Sequence, residues 1–149
     1  MESKVGRLLI VVDADAIVAQ VFKGDSNHAR ATEIVQKLMK AGVKIIYPVT
    51  AVCEAVTVIQ RVLGSKIVAR ETAKLFTESD TSVVNVNGEI YFKAVSKYFS
   101  NAVSKKDTIF DCCVAAVADE YQADAIFSFD AFYKKKGFVL ASELVKDLN

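Results

Sequence analysis

Four acidic residues stand where they could do chemistry together. Asp13 directly follows the apolar run Leu8 to Val12, and Asp130 follows Ile126-Phe127-Ser128-Phe129. Glu54 lies early in a helical segment behind a second apolar run, and Asp111 interrupts the otherwise apolar stretch IFDCCVAAVA. They are far apart in the chain, so no local pattern groups them and only a fold can. Carboxylates packed together repel one another and lose hydration, which raises their pKa values. A divalent cation removes that cost. Oxygen ligands alone suit Mg2+ or Mn2+ rather than zinc. Such an ion keeps several waters, can activate one as a nucleophile and can polarise a phosphodiester.

Each acid also has a plainer role open to it. Asp13 or Asp15 could cap a helix, and Glu54 could complement a helix N-terminus. Asp130 could be a turn residue after a strand. Asp107 is the expected cap of the helix that carries Asp111. Asp111 itself is harder to explain, because a charge on that apolar face needs a partner. The coincidence of four acids at one edge favours a metal site. His28, the only histidine, reads as a surface or helix-start residue, which disfavours histidine-based catalysis. Lys134-Lys135-Lys136 and Lys105-Lys106 lie close in sequence to the acids and could hold phosphates, or could be ordinary solvated loops.

The elements that must position these residues alternate. Leu8 to Val12 reads as a strand buried on both faces. A helix follows from about residue 14. Ala31, Ile34, Leu38 and Ala41 have helical spacing in HARATEIVQKLMKAG, with Gly42 as a stop. Lys44 to Tyr47 is a second strand. Thr50 is the expected cap of a helix to Leu63, and Ser65 of another reaching about Ser79. Ser82 to Val86 is a third strand, and Asn87 opens a helix through Val103. Asp107 or Thr108 opens a helix to Tyr121. Ala125 to Ser128 is a fourth strand, Gly137 to Leu140 a short fifth, and Ser142 caps a last turn of helix. Alternation of this kind predicts an α/β fold with a parallel sheet of about five strands and helices on both faces. Ligands of such sheets bind outside the carboxyl ends of the strands. All four acids map to that edge.

Hydrophobic residues form 52% and charged residues 25% of the 149, which excludes intrinsic disorder. The length predicts a single domain over 1–149. No apolar run approaches the roughly 20 residues of a membrane span. The N-terminal MESKVGR does not read as a secretory signal. Cys53, Cys112 and Cys113 contain no CxxC pair and suggest neither a disulfide framework nor a zinc site. A reducing cytoplasm is the expected compartment. The net charge of +1 does not itself demand nucleic acid, so any polyanion must be held locally.

The stretches VVDADAIVA at 11–19, VTAVCEAVTVI at 49–59, IFDCCVAAVADEYQADAIFSFDAFY at 109–133 and GFVL at 137–140 resemble the PIN domain, and within it the VapC-like toxins of toxin–antitoxin pairs. With the helices between them they cover nearly the whole chain. The resemblance implies a three-layer α/β/α sandwich with strand order 3-2-1-4-5 and Mg2+- or Mn2+-dependent RNA cleavage. It assigns Asp13, Glu54, Asp111 and Asp130 to the family's acidic quartet as catalytic and metal-binding residues. Ser128 matches a hydroxyl residue that orders the site, and Asp15 is a supporting residue behind the quartet. Lys134, Lys135 and Lys136 are the candidate RNA contacts. The implied partners are an RNA substrate, a small antitoxin and a second copy of the chain, with no membrane. The family's aromatic after Asp130 corresponds to Phe132 or Tyr133. PIN domains also act in RNA processing and decay, which keeps a nuclease outside a toxin system open.

Two other classes compete. VVDADA is similar to the start of haloacid-dehalogenase-like phosphatases, whose first Asp is a covalent nucleophile. That class wants Thr or Ser where Ile17 stands, and a lysine and a late acidic pair are not convincing here. The other is a PIN-like scaffold that binds RNA or protein without cutting, against which the intact quartet argues. Val52, Val56, Ile59, Leu63, Ile67, Val68 and Leu75 form a stripe compatible with a dimer face or with plain core.

Overall fold

The computed structural model describes residues 6–102 and 104–148. Strand β1 (Leu9–Val12) lies between β2 (Lys44–Pro48) and β4 (Ala125–Phe127), and all pairings are parallel. β3 (Val83–Val84) pairs with β2, so the order is β3-β2-β1-β4. Ile10, Val11 and Val12 are wholly buried, which requires helices over both faces of the sheet.

The sheet has four strands where five are expected. Leu140 makes a single parallel bridge to Ile126, in the position the fifth strand would take. The chain cannot extend it further. Phe138 N–H is held by the Tyr133 carbonyl at 3.0 Å, and helix α8 (Ala141–Leu144) starts directly after Leu140. β3 is shorter than Ser82 to Val86 for a related reason. Val84 lies opposite Pro48, and beyond Pro48 the partner chain is already helix α3 (Val49–Arg61).

Helix α1 (Ala14–Val21) leaves β1 through Asp13. Helix α2 (His28–Lys40) presents Ala31, Ile34 and Leu38 to the core and ends at Gly42. Gly42 has φ of +71°, the left-handed geometry that glycine adopts at a helix end without steric cost. Ser65 caps α4 (Lys66–Leu75), and Asn87 caps α5 (Gly88–Lys93), each through a hydrogen bond to the third residue on. Beyond Lys93 the helix expected to reach Val103 widens into a π-turn (Ala94–Tyr98) and closes as a 3-10 turn (Phe99–Asn101). Val103 lies outside the described residues. Lys97 and Tyr98 both reach Asp119 on α6 (Ile109–Glu120). Residues Cys112–Ala118 of α6 are all buried, as expected of a helix apolar on every side.

Three expected caps are corrected. α3 begins directly behind Pro48, so Thr50 is already inside the helix and caps nothing. Thr108, not Asp107, caps α6. Leu140, not Ser142, precedes α8. Among the described residues no helix is long and apolar enough to cross a membrane. The stripe on α3 and α4 divides: Val52 and Ile59 are core, whereas Leu63, Ile67 and Leu75 are exposed.

Candidate active site

The carboxyl ends of β1 and β4 are tied together where the acids begin. Asp13 N–H donates to the Phe127 carbonyl at 2.9 Å, one residue past the last paired position. Asp13 is the N-cap of α1, its Oδ1 accepting from Ala14 N–H at 2.7 Å. Ser128 Oγ stands between two carboxylates, 3.0 Å from Asp13 Oδ2 and 3.1 Å from Asp15 Oδ2. A hydroxyl has one proton, so it can donate to only one of them at a time. Asp15 Oδ2 also accepts from Phe129 N–H at 2.9 Å, and Asp130 N–H donates to Ser128 Oγ at 3.0 Å. Asp15 is thus built into the turn that carries Ser128 and Asp130. Asp130 is exposed, and its Oδ1 accepts from Phe132 N–H at 2.9 Å, the turn role open to it from sequence.

Asp111 has the partner its apolar helix calls for. Thr108 and Asp111 form a capping box: Asp111 Oδ2 accepts from Thr108 N–H at 3.1 Å and from Thr108 Oγ at 3.3 Å. A cap role and a ligand role therefore coexist on Asp111, the cap using one oxygen. Glu54 lies on the second turn of α3, half-buried, with Oε2 buried and lacking a partner. Asp15 Oδ1 is likewise buried and without a partner.

The acids feel one another. Burial pushes the Asp13 carboxyl well above the ordinary range, and the charges of Asp15 and Asp111 push it further. Asp15 is raised to about 6, mainly by burial, with the charge of Asp130 adding. Glu54 is raised to about 7 by burial and then by Asp111 and Asp15. Asp111 is raised by burial first, with Asp130 and Asp107 contributing. The charge of Asp111 is thus felt both at Asp13 and at Glu54. Among the described residues, no three acid, histidine or cysteine side chains form a ready ligand cluster for one ion. That suits Mg2+, which keeps several waters and takes one or two carboxylates. The unpartnered Asp15 and Glu54 oxygens and the all-oxygen donor set fit such an ion. The thiols do not compete: burial holds Cys112 up to about 11 and raises Cys113.

The remaining residues singled out in sequence lie around this edge. Lys134 pairs with Glu143 at 3.2 Å, and Lys136 lies 5.7 Å from the Phe132 ring centre. Lys105, Lys106 and Lys135 are exposed. His28 is the first residue of α2, and its Nδ1 lies 2.7 Å from the Ala19 carbonyl, a structural contact. Two further contributors emerge. Arg30, which carries no sequence signal, stacks over Phe129 at 5.5 Å and places a cation beside the Asp15 turn. Tyr133, marked in sequence only as an aromatic, is fully buried with its hydroxyl beside Asp13. Burial first, and then the charges of Asp13 and Asp111, push its hydroxyl well above the ordinary phenol range.

The molecule is a parallel α/β fold with buried acids at the carboxyl edge of its sheet. The chain matches the PIN domain family over residues 10–139 and belongs to it. That membership sets aside the haloacid-dehalogenase reading of VVDADA. The fold is similar to that of Mycobacterium tuberculosis VapC20, a toxin that cleaves the sarcin-ricin loop, at TM-score 0.75 and 19% identity, covering 87% of this chain and 96% of that one. It is also similar to VapBC2 from Rickettsia felis, solved bound to a DNA fragment from its promoter, at TM-score 0.62 and 12% identity, covering 89% and 97%. A search of curated protein sequences finds no match.

Proposed function

We propose that this chain is a Mg2+- or Mn2+-dependent endoribonuclease and the toxin of a VapBC-type toxin–antitoxin pair. The observation that carries the reading is the group of mutually raised, partly unpartnered carboxylates at the carboxyl edge of a PIN-family sheet. Asp13 and Asp111 are the primary ligands in this reading. Glu54 and Asp130 bind through waters or hold a second ion. When bound, the ion lowers the pKa of its water and polarises the phosphodiester.

The chain's own residues prepare that step. Ser128 fixes the spacing of Asp13 and Asp15 through its hydroxyl. The capping box holds Asp111 against rotation while leaving Oδ1 outside it. Glu54, titrating near neutrality, can accept a proton on Oε2. Lys134, Lys135 and Lys136 hold flanking phosphates of the RNA.

The toxin assignment adds partners. A small antitoxin is its partner in this reading, the similarity to VapBC2 of Rickettsia felis supporting such a pair. A second copy packs on the exposed Leu63, in the turn behind α3, and Ile67 and Leu75 of α4. The protein acts in the cytoplasm as a single domain. The test is incubation of a generic single-stranded RNA with Mn2+, with EDTA, and with Asp13→Asn in place of the native chain. Cleavage requires Mn2+ and falls by at least about a hundredfold in the variant. Cleavage that survives both EDTA and the substitution would falsify the metal mechanism.

A further inference from the structure

An edge rich in carboxylates repels the phosphate chain it would have to cut, so cations held close by must draw the chain in. Of the lysines that follow Asp130, Lys134 is already taken by Glu143 at 3.2 Å. Helix α2 supplies a cation without such a partner. Arg30, exposed on its first turn, stacks over the Phe129 ring at 5.5 Å. Phe129 immediately precedes Asp130, and its N–H is fixed on Asp15 Oδ2 at 2.9 Å. The ring is braced edge-on by Phe127, centres 5.9 Å apart. Arg30 also opens a cleft of about 160 Å³ between α2 and the C-terminal turns. Arg30, Glu33 and Lys37 follow one stripe of α2 at i, i+3 and i+7. Ser142 of α8 and Lys146 of the 3-10 turn Val145–Asp147 form the facing wall, over a floor of buried Ile34 and Val145. The lining thus sets three cations against one carboxylate, and that carboxylate, Glu33, is paired with Lys37 at 3.1 Å. No carboxylate among the described residues pairs with Arg30 or Lys146.

We propose that this cleft is a phosphate track for the RNA strand flanking the scissile bond, with Arg30 as its first contact and Lys146 as its second. The inference rests on the ribonuclease reading given above. A guanidinium laid on a ring presents its planar fork in a fixed orientation and can grip a phosphate with two hydrogen bonds. Arg30 and Lys37 stand about 10 Å apart along the α2 axis, so the track is longer than a single phosphate. An acidic peptide would meet the same charges, but nothing would oblige it to pass Asp130. The stack of Arg30 on the residue before Asp130 favours the nucleic acid.

Fluorescence anisotropy of a labelled single-stranded RNA, in EDTA and across a range of salt, measures binding without cleavage. Arg30→Gln should flatten the slope of log affinity against log salt by about 0.7, and Arg30→Gln with Lys146→Gln by about 1.4. Arg30→Lys should keep the slope, because the charge stays, yet bind more weakly, because the planar fork is gone. Lys44→Gln removes an exposed cation at the amino end of β2, the edge opposite the acids, and should leave the slope as it is. With Mn2+ present, the double variant should raise KM and hold kcat, as expected when binding remote from the cut is lost. An unchanged slope in the double variant, or an equal change in Lys44→Gln, overturns the inference and leaves the nuclease reading standing. Loss of urea stability in Arg30→Gln with the slope unchanged makes the stack structural and overturns it too. So does binding of a polyglutamate peptide that the double variant loses while it keeps the RNA. A native chain that neither binds the RNA nor cleaves it with Mn2+ overturns the ribonuclease reading, and this inference with it.

Discussion

Glu54→Gln should make the metal-free protein more stable, and only at high pH. The Glu54 carboxyl is pushed from 4.5 up to about 7 by burial and by the charges of Asp111 and Asp15. An acid raised in the folded state contributes stability fully below its unfolded pKa, and the contribution is lost as pH rises through the folded value. For Glu54 the window runs from 4.5 to about 7. Each pKa unit is worth about 1.4 kcal/mol, and because Glu54 is only half-buried, solvent screening reduces the cost of the ionised side chain to about 1–2 kcal/mol near pH 8. Glutamine keeps the shape and removes the charge. The variant should therefore exceed the native chain by about 1–2 kcal/mol at about pH 8, roughly 3–8 °C in Tm. Near pH 4, below the unfolded value, Glu54 carries its proton in both states and the difference should vanish. Heat and urea unfolding in EDTA at the two pH values make the measurement. Mn2+ should then reverse the order at high pH, because the native carboxylate gains a cation and the amide gains little. A variant no more stable than the native chain at high pH, or equally stabilised at low pH, would refute a crowded Glu54.

Other consequences follow from the same geometry. Thr108→Ala removes the capping box and should cost about 1 kcal/mol in urea unfolding. It should also weaken Mn2+ binding, since Asp111 Oδ2 loses the Thr108 hydroxyl and keeps only the backbone N–H; Thr108→Ser should restore both. Replacing Lys134, Lys135 and Lys136 by glutamine should flatten the salt dependence of single-stranded RNA binding by about 0.7 for each phosphate no longer neutralised. Lys134 should contribute least, because Glu143 already pairs with it. Unchanged slope in the triple variant would place the RNA elsewhere.

The alternation of strands and helices was legible because it is written in short windows. The short apolar run Leu9–Val12 fits a strand buried on both faces, and the i, i+3, i+7 spacing of Ala31, Ile34 and Leu38 fits one side of a helix. Gly42, Ser65 and Asn87 marked helix ends for the same local reason. The acids followed from the alternation, since a parallel sheet puts residues after its strands at one edge.

Other features depended on where one element hands over to another. Thr50 lost its cap role because β2 runs into α3 without a loop, and the fifth strand shrank to Leu140 because a turn and a helix crowd it from both sides. Asp111 looked unpartnered in sequence, yet Thr108 one turn earlier satisfies it. The chain alone determines which acids reach the edge, because burial pattern and strand direction are carried by neighbouring residues. Only the tertiary structure decides that Ser128 lies between Asp13 and Asp15, that Arg30 covers Phe129, and that the Tyr133 hydroxyl faces Asp13. Those contacts depend on the register of β1 against β4 and on the turn behind β4, and no short stretch of sequence encodes a distance between two separate strands.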